Sequence, residues 1–467
     1  MTHRFGEDPP DPWAGRAVLV CGIGVSGAAV ARTLLRRRAR VRVVDERRGA
    51  DEQVVAAALE SLGATVELGS AAVDADRLGD VSLVVTSPGW RPDHPVLRAA
   101  ADRAVPVWGD VELAWREQEP GAPGWLAVTG TNGKTTTTEM LASMLATAGH
   151  PGTAAGNIGL PLVEAVVDTP GDASSLLAVE LSSFQLHWSE SVSPLAGALL
   201  NLADDHLDWH GSFASYAAAK AKVWGTDGST VAVFNADDQR VVRLVGERAG
   251  LGFTLGEPAR GQLGVRAGNL VDEALGSGVL LPVDDLRVTG AHNVANALAA
   301  SALALAGGVA PDAVRDALRR FTTGAHRNVV VAEVDGVRYV NDSKATNPHA
   351  ALASLRSYPR VVWIAGGLNK GLEFDDLARD AGDHLVGAVL IGECAHEIRE
   401  ALARHAPDVP VIDAADLHTA VQAARGLART GDVVLLAPAA ASMDMFANYA
   451  ERGDVFTTSA RALGGQR

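Results

Sequence analysis

Leu126-Ala127-Val128-Thr129-Gly130-Thr131-Asn132-Gly133-Lys134-Thr135-Thr136-Thr137-Thr138 runs as an apolar strand into a glycine-bearing turn and then a helix. Gly130 and Gly133 let backbone N–H groups close on phosphate oxygens, Lys134 supplies a point cation for the β- and γ-phosphates, and a threonine hydroxyl can hold Mg²⁺. The helix N-terminus adds about half a positive charge where the anion sits. The spacing G-x-x-G-K-T is two residues shorter than the common G-x-x-x-x-G-K-[ST]. A strand before and a helix after favour a phosphate cradle over a plain glycine-rich turn.

A chain of 467 residues is too long for one core and suggests about three domains. With 47% hydrophobic and 21% charged residues it has the composition of an ordinary soluble globular protein. A net charge of −15 argues against non-specific nucleic-acid binding, which is driven by basic side chains neutralising phosphates. It leaves room for a nucleotide, which needs only a local positive pocket. Cys21 and Cys394 are too few for a disulfide framework and suit a reducing cytoplasm. No signal peptide is visible at the N-terminus. The alanine-rich run Val294 to Ala306, at 13 residues, falls short of the roughly 20 that span a bilayer and reads as a buried helix.

Residues 1–14 are polar and proline-rich and are expected to be a disordered extension. Ala17 to Cys21 reads as a buried strand, followed by Gly22-Ile23-Gly24-Val25-Ser26-Gly27 and an alanine-rich helix. The strand Val41 to Val44 ends in Asp45, 18 residues beyond Gly27, near where a ribose-binding acid would sit. These residues alone allow an NAD site, or the diphosphate of a different nucleotide on the same helix start. Ser82 to Val85 leads into Thr86-Ser87-Pro88-Gly89, a loop at a strand end where open α/β sheets bind ligands. A helix through Val111 to Trp115 gives way to a polar Pro/Gly stretch, Glu117 to Gly124, the first boundary.

After the cradle, the strand Ser175 to Val179 ends in Glu180, placed to reach the Mg²⁺ of a bound triphosphate. Ala198 to Leu202 reads as a strand delivering Asp204-Asp205-His206-Leu207-Asp208, where His206 is a candidate metal or phosphate ligand. Tyr216 to Lys222 reads as helix, with Lys220 and Lys222 pointing different ways. Val231 to Phe234 is another strand, and Gly252 to Gly278 reads as loops and short antiparallel strands. Asn296, on the first turns of the alanine-rich helix, either satisfies backbone or reaches a base edge. Near Thr322 a third region begins. It has a cationic loop at His326-Arg327, a hairpin about Asp335-Gly336, and a βαβ series with strands at Val361, Gly387 and Val433. The organisation is three α/β domains in series: 15–118, 119–321 and 322–467.

The combination T-G-T-N-G-K-T, G-N-I-G-L-P, E-L-S-S-F-Q-L, D-H-L-D, Y-x-x-A-K, H-N-x-x-N, H-R, N-D-S-K-A-T-N and P-x-x-A-S-x-D-x-F with a downstream E-R-G resembles the ATP-dependent Mur ligases. The match covers essentially the whole chain after residue 14. Glu180 to Leu186 and Ser442 to Phe446 are most similar to the family's D-glutamate-adding members. The resemblance implies a Rossmann-like UDP-binding N-terminal domain, a P-loop ATPase-like central domain and a Rossmann-like, amino-acid-binding C-terminal domain. The implied reaction joins D-glutamate to UDP-N-acetylmuramoyl-L-alanine through an acyl phosphate, in a cytoplasmic monomer.

Carried over position by position, the resemblance implies Val25 and Ser26 at the uracil, Asp45, Glu46 and Arg47 near the uridine, and Gly89 near the diphosphate-sugar. Asn157 and His206 would meet the rest of that substrate. Gly130, Thr131, Asn132, Gly133, Lys134, Thr135 and Thr136 would cradle ATP. Asn296 would meet the adenine, Arg327 the phosphates, and Asp342 the ribose side. Thr135 and Glu180 would hold one Mg²⁺, and His206 and a carbamylated Lys220 a second, since a carbamate inverts the charge of an ammonium that would repel the metal. Lys134, Lys220, His206 and Lys344 would be the catalytic groups. Thr346, Lys370, Ser442, Met443 and Tyr449 would bind D-glutamate.

Ala440 and Tyr449 depart from the family's usual residues without removing a charged contact. Glu46 places an extra carboxylate near a diphosphate, which should weaken binding unless Arg47 offsets it. Folylpolyglutamate synthetase shares the ATPase core, but residues 16–118 supply a nucleotide-sugar half that it lacks. A non-ligating nucleotide-sugar sensor would be expected to lose Glu180, His206 or Lys220, and all three are present. A plain NAD dehydrogenase leaves the phosphate cradle without a role.

Overall fold

The computed structural model describes residues 11–118, 121–168, 175–288, 290–322, 324–369 and 371–465. They form two compact bodies: residues up to Leu281 with Ala297–Leu318, and Pro282–Asn296 with the chain from Arg319 onward. Among the described residues no helix is long and apolar enough to cross a membrane.

The first body holds two sheets. The N-terminal one has five parallel strands in the spatial order Thr65–Leu68, Arg40–Asp45, Ala17–Cys21, Leu83–Thr86, Val107–Gly109. The order reverses beside Ala17–Cys21, so the turns after that strand and after Leu83–Thr86 flank a crevice of the kind that takes nucleotides. Gly27 is required there, because a Cβ would lie 1.9 Å from the Gly22 carbonyl oxygen.

The second sheet has nine strands, with Gly124–Thr129 between Leu176–Glu180 and Ala196–Leu199, all three parallel. The phosphate turn therefore opens between the ends of two neighbouring strands. The expected strand through Leu202 ends at Leu199; beyond it the Leu200 N–H still donates to the Thr129 carbonyl and the Asn201 side chain bonds the phosphate loop. The tract after Gly250 is only partly antiparallel. Gly250–Phe253 and Gln262–Arg266 extend the parallel sheet, and Asn269–Asp272 alone pairs antiparallel to Gln262–Arg266.

One apolar core runs through this body from Trp13 and Val20 to Leu113, Val179 and Trp224. Buried carboxylates fasten the two sheets. On the helix Asp110–Arg116, Glu112 accepts the backbone N–H groups of Glu190 and Ser191 (2.8 and 3.0 Å), the Ser191 hydroxyl (2.6 Å) and Arg116 Nε (2.7 Å). Burial would raise its carboxyl, but these donors hold it below the ordinary glutamate value. Asp110 accepts from Gln185 Nε2 at 3.2 Å. Gln185 also forms a capping box with Ser182, two residues past Glu180.

The second body is a six-stranded sheet: the antiparallel hairpin Val329–Val334 and Val337–Asn341, then Val433–Leu436, Val361–Gly366, Leu385–Ile391 and Val411–Asp413, all parallel. Asp335 and Gly336 both take positive φ (54° and 75°), as a two-residue hairpin turn demands. Alternate residues of Val361–Gly366 enter different cores, Trp363 one and Val362 and Ile364 the other. A sheet covered on both faces accounts for its continuous apolar strands.

Residues 1–10 lie outside the described set, and residues 11–14 of the extension expected over 1–14 are ordered. Residues 12–15 form a turn, and Trp13 is 4% exposed with its indole N–H on the Glu117 carboxylate. Arg37 bridges Asp11 and Glu117. Glu117, read as the start of a linker, is thus a buried acceptor that secures the N-terminus. Truncating Trp13→Ala is expected to destabilise the first body by about 3–5 kcal/mol, seen as a lower urea midpoint at unchanged slope.

Candidate active site

The phosphate loop is braced before any ligand arrives. Gly130 (φ 156°) and Gly133 (φ 83°) supply the backbone angles that side-chain-bearing residues avoid. A Cβ on Gly130 would also lie 2.9 Å from the Leu200 Cβ. Asn201 Oδ1 accepts the Asn132 N–H (2.8 Å) and its Nδ2 donates to the Asn132 carbonyl (3.0 Å), copying a strand pair with one side chain. Thr131 Oγ1 lies 2.8 Å from the Tyr216 hydroxyl and accepts the Ala203 N–H. Asn201 and Tyr216 were given no role from sequence. Polar residues just beyond a strand end and inside an alanine-rich helix were the available signals.

Two amines converge on one carbonyl. Lys134 Nζ donates to the Gly130 and Thr131 carbonyls (2.9 and 2.8 Å), and Lys220 Nζ donates to Gly130 at 2.8 Å. Lys220 is 2% exposed. Burial, with Lys134 beside it, holds its pKa well below that of an ordinary lysine, against the opposing fields of Asp205 and Glu180. Lys220 is therefore not a solvated surface cation, while Lys222 turns away to the His187 and Ser189 carbonyls.

Glu180 is buried. Its Oε1 accepts from Asn157 Nδ2 at 2.7 Å, and its Oε2 has no hydrogen-bond partner among the described residues. A buried carboxylate oxygen without a donor fits a cation. Asn157, expected on the sugar-peptide substrate, is engaged by this acid through its side chain and by the Glu180 carbonyl through its N–H. Among the described residues no three His, Cys, Asp or Glu side chains gather as a preformed metal cluster. Mg²⁺ at a phosphate needs only one or two carboxylates and keeps several waters. Glu180 offers one such carboxylate.

His206 takes a left-handed backbone (φ 52°), with Nε2 3.5 Å from Asp205 Oδ2 and its ring 4.7 Å from Phe184. Desolvation, with Lys134 and Lys220 nearby, lowers its pKa against Asp205 and Asp208. Just beyond it, Trp209 Nε1 donates to the Gly89 carbonyl (3.3 Å), and Arg91 donates to the Asp208 carbonyl (2.8 Å). The loop carrying Gly89 and the loop carrying His206 are therefore in direct contact.

At the N-terminal crevice Val25 is 76% exposed and Ser26 is half-buried beside it. Asp45 is buried and already committed: it accepts the Ile23 N–H (2.8 Å) and is clasped by the N–H, Nε and Nη2 of Arg47 (2.9–3.0 Å). Burial would raise its carboxyl, and these contacts hold it below the ordinary aspartate value. The Asp45 side chain thus shapes the glycine turn. The condition that Arg47 offset Glu46 is met by no direct pairing of the two. Arg47 pairs with Asp45 and Glu52, and the partner of Glu46 is His94, at 2.9 Å.

In the second body, Lys344 Nζ sits 4.0 Å from the centre of the Tyr449 ring, a cation–π contact. Ser442 is buried and Met443 is 55% exposed, while Thr346 is half-buried. Lys370 lies outside the described residues. Asn296 is buried, with Nδ2 3.3 Å from Asn293 Oδ1. Desolvation pushes the Asp342 carboxyl up to about 6, against the hydrogen bond of Asn328 and the charge of Arg327.

The pattern of the Mur ligase MurD-like N-terminal domain matches residues 16–109, that of the Mur ligase middle domain 128–304, and that of the Mur ligase glutamate ligase domain 326–440. The chain is similar to the UDP-N-acetylmuramoylalanine–D-glutamate ligase of Frankia casuarinae, at 58% identity over 97% of this chain and 95% of that one. It is 52% identical to the enzyme of that name from Thermobifida fusca, over 97% of this chain and 99% of that one. Two solved structures share the fold. They are a UDP-N-acetylmuramate-alanine ligase from Thermotoga maritima (TM-score 0.57, 20% identity, 96% and 99% of the chains) and a pseudomurein peptide ligase from Methanothermus fervidus (0.56, 19%, 90% and 96%).

An acid whose folded pKa lies above its unfolded one binds more protons when folded, so its contribution to stability falls as pH rises between the two values. For Asp342 that window runs from its ordinary 3.8 to about 6. Asp342→Asn is expected to gain stability over the wild type by on the order of 1–3 kcal/mol between pH 4.5 and 7. Urea unfolding at both pH values measures it.

Proposed function

The chain belongs to the Mur ligase family, and from that premise we propose that it joins D-glutamate to UDP-N-acetylmuramoyl-L-alanine at the expense of ATP, forming an amide. The observation that carries this reading is the chain-long likeness to relatives named for that reaction. The braced phosphate loop, the paired lysines and the unpartnered Glu180 oxygen support it chemically. The reaction belongs to the building of peptidoglycan precursors. We propose a cytoplasmic monomer, a location that fits two buried free thiols.

The substrate carboxylate attacks the γ-phosphate of ATP, giving an acyl phosphate and ADP. The amine of D-glutamate then attacks the acyl carbon and phosphate leaves. The first step brings two anions together, so the work of the residues is positioning and charge neutralisation. The N–H groups of Gly130 to Lys134 cradle the phosphates, and Lys134 exchanges the Gly130 and Thr131 carbonyls for phosphate oxygens. Glu180 and Thr135 would hold one Mg²⁺, and His206 with a carbamate on Lys220 a second. When bound, Mg²⁺ neutralises charge on the β- and γ-phosphates. Thr131, Asn132 and Thr136 line the same cradle, while Asn296, Arg327 and Asp342 take the adenine, phosphate and ribose contacts.

The crevice at Val25, Ser26 and Gly89 takes the UDP half, with Asp45 and Arg47 shaping it and Glu46 held by His94. Asn157 orients Glu180 as well as facing the muramoyl-alanine. In the second body Lys344 stabilises the tetrahedral oxyanion, and Thr346, Lys370, Ser442, Met443 and Tyr449 receive D-glutamate.

Phosphate release with UDP-N-acetylmuramoyl-L-alanine, ATP and Mg²⁺ is expected with D-glutamate and not with L-alanine or diaminopimelate; the reverse pattern sinks the assignment. Lys220→Ala is expected to lose at least about 10²-fold in kcat, with partial recovery on adding a short carboxylic acid. Full activity without the acid refutes the metal role of Lys220.

A further inference from the structure

The triplet Glu451-Arg452-Gly453 belongs to the motif set of the chain, yet none of the steps above uses it. It sits at the start of the helix Tyr449–Ala462. Arg452 is 1% exposed. Its Nε donates to Ser343 Oγ (3.0 Å), Nη2 to the Ser343 carbonyl (2.9 Å) and Nη1 to the Ala440 carbonyl (3.2 Å). Buried arginines commonly direct the fork at a carboxylate. This one directs it at two loops, and its pKa, lowered by burial to about 10, still leaves it charged at neutral pH.

The neighbouring residues hold the adjoining segments. Ser343 Oγ donates to the Tyr449 carbonyl at 2.7 Å. Glu451 accepts the Ala447 N–H at 2.6 Å, at the end of the turn that begins at Ser442. The Gly453 carbonyl accepts from Asn341 Nδ2 at 2.8 Å. A Cβ on Gly453 would stand 2.2 Å from His326 Nδ1, so the helix can approach His326 only at a glycine. One helical turn therefore grips the segments that carry Arg327, Lys344 and Ser442.

We propose that Arg452 is a positioning residue for the amide-forming step, its guanidinium setting the Ser343–Lys344 loop against the Ala440–Ser442 loop so that D-glutamate meets both. This rests on the reaction proposed above. A lysine keeps the charge but, as a point donor on a flexible stem, cannot bridge both loops. Removing the Ser343 hydroxyl deletes one of its contacts and leaves the arginine in place.

The test uses the full chain carrying Arg452→Lys or Ser343→Ala, with steady-state kinetics in each substrate and amide exchange over 342–346 and 439–443. For Arg452→Lys the KM for D-glutamate is expected to rise about tenfold, and for Ser343→Ala about threefold, with faster exchange in both segments. The KM for the nucleotide-sugar stays within about twofold, because its contacts lie in a different sheet. An unchanged KM for D-glutamate in both variants, or equal rises for both substrates, overturns the proposal. If Arg452→Lys fails to fold, Ser343→Ala decides by the same criteria. A wild-type chain that does not use D-glutamate refutes the reaction, and exchange then decides the arginine's role: unchanged protection in the variants overturns it.

Discussion

Lys220 buries an amine in the interior and bonds it to the Gly130 carbonyl, the same oxygen that Lys134 reaches. A buried ammonium beside a second lysine is unfavourable unless carboxylates or a change of charge state relieve it. That constraint organises the region. It brings the helix Phe213–Ala221 onto the phosphate loop, places Tyr216 where it can hold Thr131, and gives the fields of Glu180 and Asp205 something to oppose.

The two bodies solve the problem of holding loops differently. In the first, buried carboxylates act as acceptors for backbone. Glu112 takes the N–H groups of Glu190 and Ser191, Asp45 takes the glycine turn, and the half-buried Asp238 takes the Leu202 N–H at 2.9 Å. In the second, a buried guanidinium does the work by donating to carbonyls at Ser343 and Ala440. Either arrangement fixes a loop by satisfying backbone groups that water cannot reach.

Much of the architecture was legible because strand and turn signals agree locally. The hairpin about Asp335-Gly336 and the strand Val329–Val334 stand where alternation and turn chemistry place them. Failures came where a side chain competes with the ladder or where packing overrides composition. Beyond Leu199 the Asn201 side chain bonds the phosphate loop, and Trp13 draws part of a polar, proline-rich terminus into the core. The pairing of Glu46 with His94 spans 48 residues, a distance at which pattern carries no information about contact.

From its sequence alone this protein is a three-domain α/β ligase of a recognisable kind, because glycine positions, strand-end acids and the Lys134 motif depend on local backbone geometry. Burial and long-range pairing were decided only by the tertiary structure. It makes Lys220 a desolvated amine rather than a surface cation, and it commits Asp45 to Arg47 and Ile23. It also leaves one oxygen of Glu180 without a donor. These outcomes depend on which groups share a low-dielectric interior, and residues 90 positions apart, such as Gly130 and Lys220, meet only when the chain has folded.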